Sequence, residues 1–194
     1  MNIFTTSREK QLWMYSFVVL VAIILTHFLG GIFTAWQLDQ NAVGTFVFFF
    51  CMALSGLTVL LHGLARRPGR TELAIWSGLV AVYLLLILRL GVPERTHLME
   101  YSVLAVFVHM ALSERQKDKT RFLLVGLMAF VLVFSIGVMD EVVQFFLPSR
   151  VYDPIDILFN GLAACLAIVS SMILQWARIK IPFIDSGENK SSSK

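Results

Sequence analysis

Charged side chains are scarce in this sequence of 194 residues. Asp, Glu, Lys and Arg account for 15% of it, hydrophobic residues account for 57%, and the mean hydropathy is +0.76. A typical soluble domain is about 25% charged. The shortage of charge therefore excludes an ordinary soluble domain and indicates an integral membrane protein.

Cysteine and the signature motifs of soluble enzymes are scarce as well. Cys51 and Cys165 lie inside hydrophobic runs, and their spacing matches no metal or redox motif, so we predict no disulfide. HExxH, a nucleophile elbow, a phosphate-cradling loop and a nucleotide fingerprint are all missing. We predict no cofactor and no metal site, although zinc stays open because one histidine and several carboxylates could collect.

Long apolar runs are what the sequence has in abundance. A helix needs about 20 apolar residues to cross a hydrocarbon core of roughly 30 Å. The composition predicts an all-α, polytopic transmembrane bundle of about six helices in residues 1–182, followed by a disordered cytoplasmic tail at 183–194. The six runs lie near residues 12–36, 42–64, 72–91, 97–113, 121–147 and 155–178.

Basic residues predict how these helices are oriented, because Lys and Arg prefer the cytoplasmic side of short loops. Six spans place the N-terminus, the second and fourth loops and the C-terminus on one side. That side holds all of the 16 Lys and Arg residues except Arg89, Arg95 and Arg150. We therefore predict a multi-pass cell-membrane protein with both termini in the cytoplasm. The basic residues of the cytoplasmic loops then face anionic lipid, which accounts for the net charge of +3. Membrane lipids rather than nucleic acid are the expected partners.

Polar residues concentrate at the predicted outer boundary of the membrane. Four acids lie between Asp140 and Asn160, and a charge in hydrocarbon costs at least ~2.5 kcal/mol unless it is paired or hydrated. The start of the fourth run falls at the same level, and its polar residues repeat at helical spacing. We predict one outer-leaflet pocket formed by His97, Glu100, Tyr101, Asp140, Glu141, Gln144, Arg150, Asp156 and Asn160.

The order of these polar residues resembles the VanZ-like family, which is named for a teicoplanin-resistance protein. The resemblance lies within residues 94–167 and rests on PERTHLMEY followed by DE, Q, PSR, D, PID, N and G. It implies a part in cell-envelope homeostasis or antibiotic tolerance, without implying a molecular activity. The residues that match the family pattern are His97, Tyr101, Asp140, Glu141, Gln144, Arg150, Asp156, Asn160 and Gly161.

Several functions fit such a pocket. It could bind the headgroup of an amphiphilic or lipid-linked ligand, with neighbouring apolar residues contacting the tail. An excess of acids disfavours a doubly anionic phosphate unless a divalent cation is present. It could instead be an intramembrane enzyme with Glu141 or Asp140 as general acid or base and His97 as partner, since these groups can exchange protons near neutral pH. Arg150 would then position the substrate.

Two further hypotheses on the role of these polar residues stay open. A proton-coupled carrier is less favoured, because the sequence shows neither repeated halves nor interrupted helices. The polar residues could also serve only to lock the ends of three helices together through mutual hydrogen bonds. Unfolding measurements separate this last reading from a binding or catalytic role.

Overall fold

The computed structural model describes residues 4–35, 70–90, 92–116, 121–146 and 153–191, and within these ranges all regular secondary structure is helical. The prediction of an all-α protein is therefore confirmed. The apolar run at 42–64 lies outside the described residues, so the count of six helices and the side on which the termini lie stay predictions. The described helices are α1 (Ser7–Ala35), α2 (Arg70–Arg89), α3 (Val92–Arg115), α4 (Phe122–Phe145) and α5 (Pro154–Ser191).

Three of the described helices are long and apolar enough to cross a membrane. The segments are Glu72–Arg89 in α2, Phe122–Phe145 in α4 and Pro154–Ala177 in α5. Large hydrophobic side chains such as Leu123 and Leu158 are exposed on them. Exposed apolar surface on helices of this length suits contact with lipid and supports the prediction of a membrane protein.

The beginnings of two helices follow from short polar motifs. Thr6 caps α1, because its Oγ1 accepts a hydrogen bond from the Glu9 N–H at 3.0 Å. The Glu9 carboxylate accepts in return from the N–H and the hydroxyl of Thr5, each at 2.7 Å. At α5, Asp153 Oδ1 accepts from the Ile155 N–H at 2.8 Å, directly before the proline that begins the helix.

The chain divides into two compact units, one formed by Met1–Gln40 with Leu90–Ser171 and the other by Asn41–Arg89 with Met172–Lys194. The described part of the second unit holds α2 and the last part of α5. Helix α5 is assigned as far as Ser191, so it includes most of the polar segment for which we expected disorder.

In the first unit, α3 packs against α1 and α4. Its buried face includes Leu98, Leu104 and Val108, which form an apolar core between the ends of the helix. Two polar contacts join α3 to α5: Ser102 Oγ donates to the Ala163 carbonyl at 3.4 Å, and His109 Nδ1 lies 2.9 Å from Ser171 Oγ. Small buried residues on α5, namely Ala163, Ala164 and Ala167, permit this close approach.

Candidate functional site

Three helix ends meet in the first unit and bring together polar residues that are far apart in the sequence. The beginnings of α3 and α5 lie beside the end of α4, where hydrogen bonds and ion pairs connect them. We call these side chains the polar cluster. Its members are His97 and Tyr101 from α3, Asp140, Glu141 and Gln144 from α4, and Asp156 and Asn160 from α5.

The two neighbouring acids of α4 share one amide. Gln144 lies four residues after Asp140 and three after Glu141, so helical geometry places it beside both. Its Nε2 donates to Glu141 Oε1 at 3.0 Å and to Asp140 Oδ2 at 3.4 Å. From α3, the Tyr101 hydroxyl donates to the same Asp140 oxygen at 2.9 Å. Asp140 is therefore held by two side-chain donors.

His97 connects α3 to α5 through both of its ring nitrogens. Nδ1 lies 3.0 Å from Asn160 Oδ1, and Nε2 lies 3.6 Å from Asp156 Oδ2. Because an amide oxygen can only accept a hydrogen bond, the Asn160 contact requires a proton on Nδ1. This contact fixes the ring orientation, and it turns Nε2 toward the carboxylate of Asp156.

His97, Glu141 and Asp156 form the densest part of the polar cluster. Each offers one nitrogen or oxygen atom, and the three atoms all lie within 4.8 Å of one another. Glu141 is fully buried, with 0% of its surface exposed, whereas the Asp156 side chain keeps 17% exposure. The cluster thus has a closed interior at Glu141 and an accessible edge at Asp156. Two carboxylates and an imidazole this close can share a proton or hold a cation.

A glycine one turn before the α4 acids makes this convergence possible. A Cβ atom added at Gly137 would lie 2.9 Å from Asn160 Cβ and 3.2 Å from Tyr101 Cε1. Carbon atoms pack best at about 3.5–4.0 Å, so a side chain there would separate α4 from both neighbours. Gly137 was not among the predicted site residues. The sequence feature that could have indicated it is its position four residues before Glu141, which places both residues on the same helix face.

The remaining predicted site residues lie in different places. Glu100 follows His97 by three residues on α3 and is half-buried. Gly161 lies against the ring of Phe134, which is 3.0 Å from the position of an added Cβ. Arg150 lies outside the described residues, so its contact with a ligand or an acid stays a prediction.

A second polar group, at the opposite end of α3, was not predicted. Arg115 Nη1 lies 3.7 Å from Oε1 of the fully buried Glu9, and Arg8 Nη1 lies 3.8 Å from Glu114 Oε2. Thr6 also donates to Glu114 Oε1 at 3.3 Å. These residues form what we call the α1–α3 cluster. Its sequence signal was the capping-box pattern from Thr6 to Glu9.

Hydrogen bonds set the charge state of Glu9. The Thr5 N–H lowers the pKa of the Glu9 carboxyl most, the Thr5 hydroxyl lowers it further, and the charge of Arg115 acts in the same direction against the effect of burial. Glu9 is therefore a stable anion at neutral pH, and it faces the guanidinium of Arg115.

Comparison with protein-family models, curated proteins and solved structures finds no match for this chain. The fold and the polar cluster define a helical protein with membrane-spanning character and a buried polar site. Membership of the VanZ-like family therefore stays a prediction from the order of the polar residues.

Proposed function

We propose that the polar cluster binds the headgroup of an amphiphilic cell-envelope molecule, whose apolar tail lies along the neighbouring helices. The observation that carries this proposal is the convergence of His97, Glu141 and Asp156 within 4.8 Å at the ends of apolar helices. Buried polar groups cost free energy unless they are hydrogen-bonded, so a cluster of them needs a structural or a binding role.

The side chains around the cluster fit the apolar part of such a ligand. Phe145 and Phe146 follow Gln144 at the end of α4, and Ile155 and Leu158 flank Asp156 on α5; all four are exposed large hydrophobic residues. A hydrophilic interior bordered by apolar surface is the usual composition of a site for an amphiphile. The headgroup would enter beside Asp156, the part-exposed member of the cluster.

The donors and acceptors of the cluster favour a headgroup rich in hydroxyl or cationic groups. Asp140, Glu141 and Asp156 contribute carboxylates, which accept hydrogen bonds when ionised. Hydroxyl and ammonium groups donate such bonds, and charge-assisted hydrogen bonds are about twice as strong as neutral ones. The resemblance to the VanZ-like family supports a role in envelope homeostasis or glycopeptide tolerance, in a multi-pass cell-membrane protein with cytoplasmic termini.

Native mass spectrometry of the purified protein with a panel of envelope lipids tests the proposal. Glu141→Gln and Asp156→Asn keep the side-chain shape but remove a charge, and each should weaken retention of the bound lipid at least about 10-fold, equivalent to about 1.4 kcal/mol. Glu114→Gln, which removes a carboxylate from the other end of α3, is the matched control. Equal lipid retention by all three variants and the parent protein would rule out the cluster as the headgroup site.

An intramembrane acid–base enzyme is the second candidate. It is favoured by the 3.6 Å separation of His97 Nε2 and Asp156 Oδ2, with Glu141 close by, because general acid–base catalysis needs such groups within reach of one proton. Asp140 is the weaker catalytic candidate, since Tyr101 and Gln144 already donate to it.

The same lipid panel separates the two candidates. An enzyme would yield a new lipid species on incubation, and Glu141→Gln would stop its formation. Retention of a lipid without any change in its mass supports binding alone.

A further inference from the structure

The distances within the polar cluster match those of a metal site. Zinc binds nitrogen and oxygen ligands at about 2.0–2.2 Å in tetrahedral geometry, which sets neighbouring ligand atoms about 3.3–3.6 Å apart. His97 Nε2 and Asp156 Oδ2 are 3.6 Å apart, and a Glu141 oxygen lies within 4.8 Å of one ligand atom of each of these two residues. Bringing the Glu141 oxygen from within 4.8 Å to a tetrahedral spacing of about 3.6 Å requires a movement of at most about 1.2 Å.

The surroundings of His97 are those of a metal-binding histidine. Such a histidine generally uses its second ring nitrogen to donate a hydrogen bond that fixes the tautomer and the ring orientation. Here Nδ1 lies 3.0 Å from Asn160 Oδ1, to which it can donate, so in the neutral imidazole Nε2 is the nitrogen available to a metal. This contact is independent of the acids, and it comes from a fully buried residue.

Glu141 is held in a similar way. Metal-binding carboxylates are themselves usually hydrogen-bonded, and Gln144 donates to Glu141 Oε1 at 3.0 Å. Gln144 is buried and also contacts Asp140, so its amide has a fixed position. Two of the three candidate ligands thus have a supporting residue already in place.

We propose that His97, Glu141 and Asp156 bind one divalent transition-metal ion, through Nε2 of the imidazole and one oxygen of each carboxylate. A neutral imidazole and two carboxylates carry two negative charges, which a divalent ion balances. The nitrogen ligand favours Zn²⁺ over Mg²⁺ and Ca²⁺, which prefer oxygen ligands. Three protein ligands leave a coordination position for water or a bound molecule.

The ion site rests on the geometry of these residues and does not depend on the headgroup proposal. No zinc motif in the sequence marks this site, because its ligands come from three different helices. His97 and Glu141 lie 44 positions apart on successive helices, so no short spacing rule connects them.

Zinc retention by the full-length protein tests the inference. Protein purified in detergent is stripped with EDTA, titrated with ZnCl₂ and desalted, and bound zinc is measured by elemental mass spectrometry and by calorimetry. We expect about one zinc per chain. Asp156→Asn should weaken binding at least about 100-fold, and Asn160→Ala should weaken it about 10- to 100-fold through the lost support of the imidazole.

Two controls make the result specific. His109→Gln removes the other described buried histidine of α3, and Glu114→Gln removes a carboxylate outside the cluster; both should bind zinc like the parent. Asp156 is part-exposed, so Asp156→Asn should still fold, which a monodisperse elution profile and an unchanged zinc-free melting temperature verify. A parent protein that retains no zinc, or an Asp156→Asn variant that binds it equally well, overturns the inference.

The outcome for zinc is distinguishable from the outcome for the ligand. If lipid retention is the same in all variants but zinc binding is lost in Asp156→Asn, the headgroup proposal fails and the ion site stands. Zinc binding that is lost in His109→Gln and kept in Asp156→Asn would place the ion elsewhere and reject the site.

Discussion

Replacing Gly137 with alanine is the sharpest test of how the three helix ends fit together. The new Cβ would lie 2.9 Å from Asn160 Cβ and 3.2 Å from Tyr101 Cε1. Reaching the lower limit of favourable carbon contact, about 3.5 Å, requires α4 and α5 to separate by roughly 0.6 Å at this point. Because Asn160 also lies 3.0 Å from His97, a displacement of Asn160 would disturb that contact as well.

Two opposing effects set the magnitude for Gly137→Ala. Alanine has the higher helix propensity, which favours the folded state by about 0.8–1.0 kcal/mol. Overpacking a well-packed interior costs about 1–3 kcal/mol. We therefore expect a net loss of up to about 2 kcal/mol, together with weaker zinc and lipid retention, because Asn160 no longer supports His97.

Gly78→Ala is the matched control, because an added Cβ at Gly78 meets no neighbouring side chain or other helix within 4 Å among the described residues. This variant should be as stable as the parent, or more stable by up to about 1 kcal/mol. The assay is thermal or denaturant-induced unfolding in detergent, followed by circular dichroism. If Gly137→Ala proves at least as stable as Gly78→Ala, the proposed close approach of α3, α4 and α5 is wrong.

Three further predictions concern single polar groups. Tyr101→Phe removes a buried donor to Asp140 and should cost about 1–3 kcal/mol of unfolding free energy; an unchanged melting temperature would contradict the hydrogen bond. Because the folded pKa of Glu9 is lowered, its stabilisation is complete above the unfolded pKa and is lost as the pH falls through the folded value, so Glu9→Gln should flatten the acid limb of the stability profile. Asp153→Ala should cost about 0.5–2 kcal/mol through loss of the α5 cap, whereas Asp153→Asn should keep most of that stability.

The sequence allowed the meeting of three distant segments to be predicted, because membrane helices of similar length place alternate ends at the same level. His97 and Tyr101 were expected on one face of their helix, and Asp156 and Asn160 on one face of theirs. The structure connects these pairs through the His97 contacts. Periodicity was sufficient here because the residues of each pair are one turn apart.

Other features of the cluster depend on contacts between helices, which periodicity does not describe. Asp140 and Glu141 are about 100° apart around the helix, so the sequence left open which partner each acid would face. In the structure both acids accept from the amide of Gln144, whose side chain is long enough to reach both. Gly137 was not predicted as a site residue, because whether a glycine allows close helix packing depends on the residues that face it on the neighbouring helices. The α1–α3 cluster was missed because its ion pairs join residues more than 100 positions apart.

Helix α3 is anchored by polar contacts near both of its ends. His97 and Arg115 are 18 positions apart in the sequence, which corresponds to about 27 Å along a helix axis. Translation of α3 along its axis, or rotation about it, would break the contact of Arg115 with Glu9 or that of His97 with Asn160. Helix α3 is therefore fixed relative to α1 at one end and to α5 at the other, and distance labels on α3 and α5 would report any ligand-induced motion that breaks the His97 contacts.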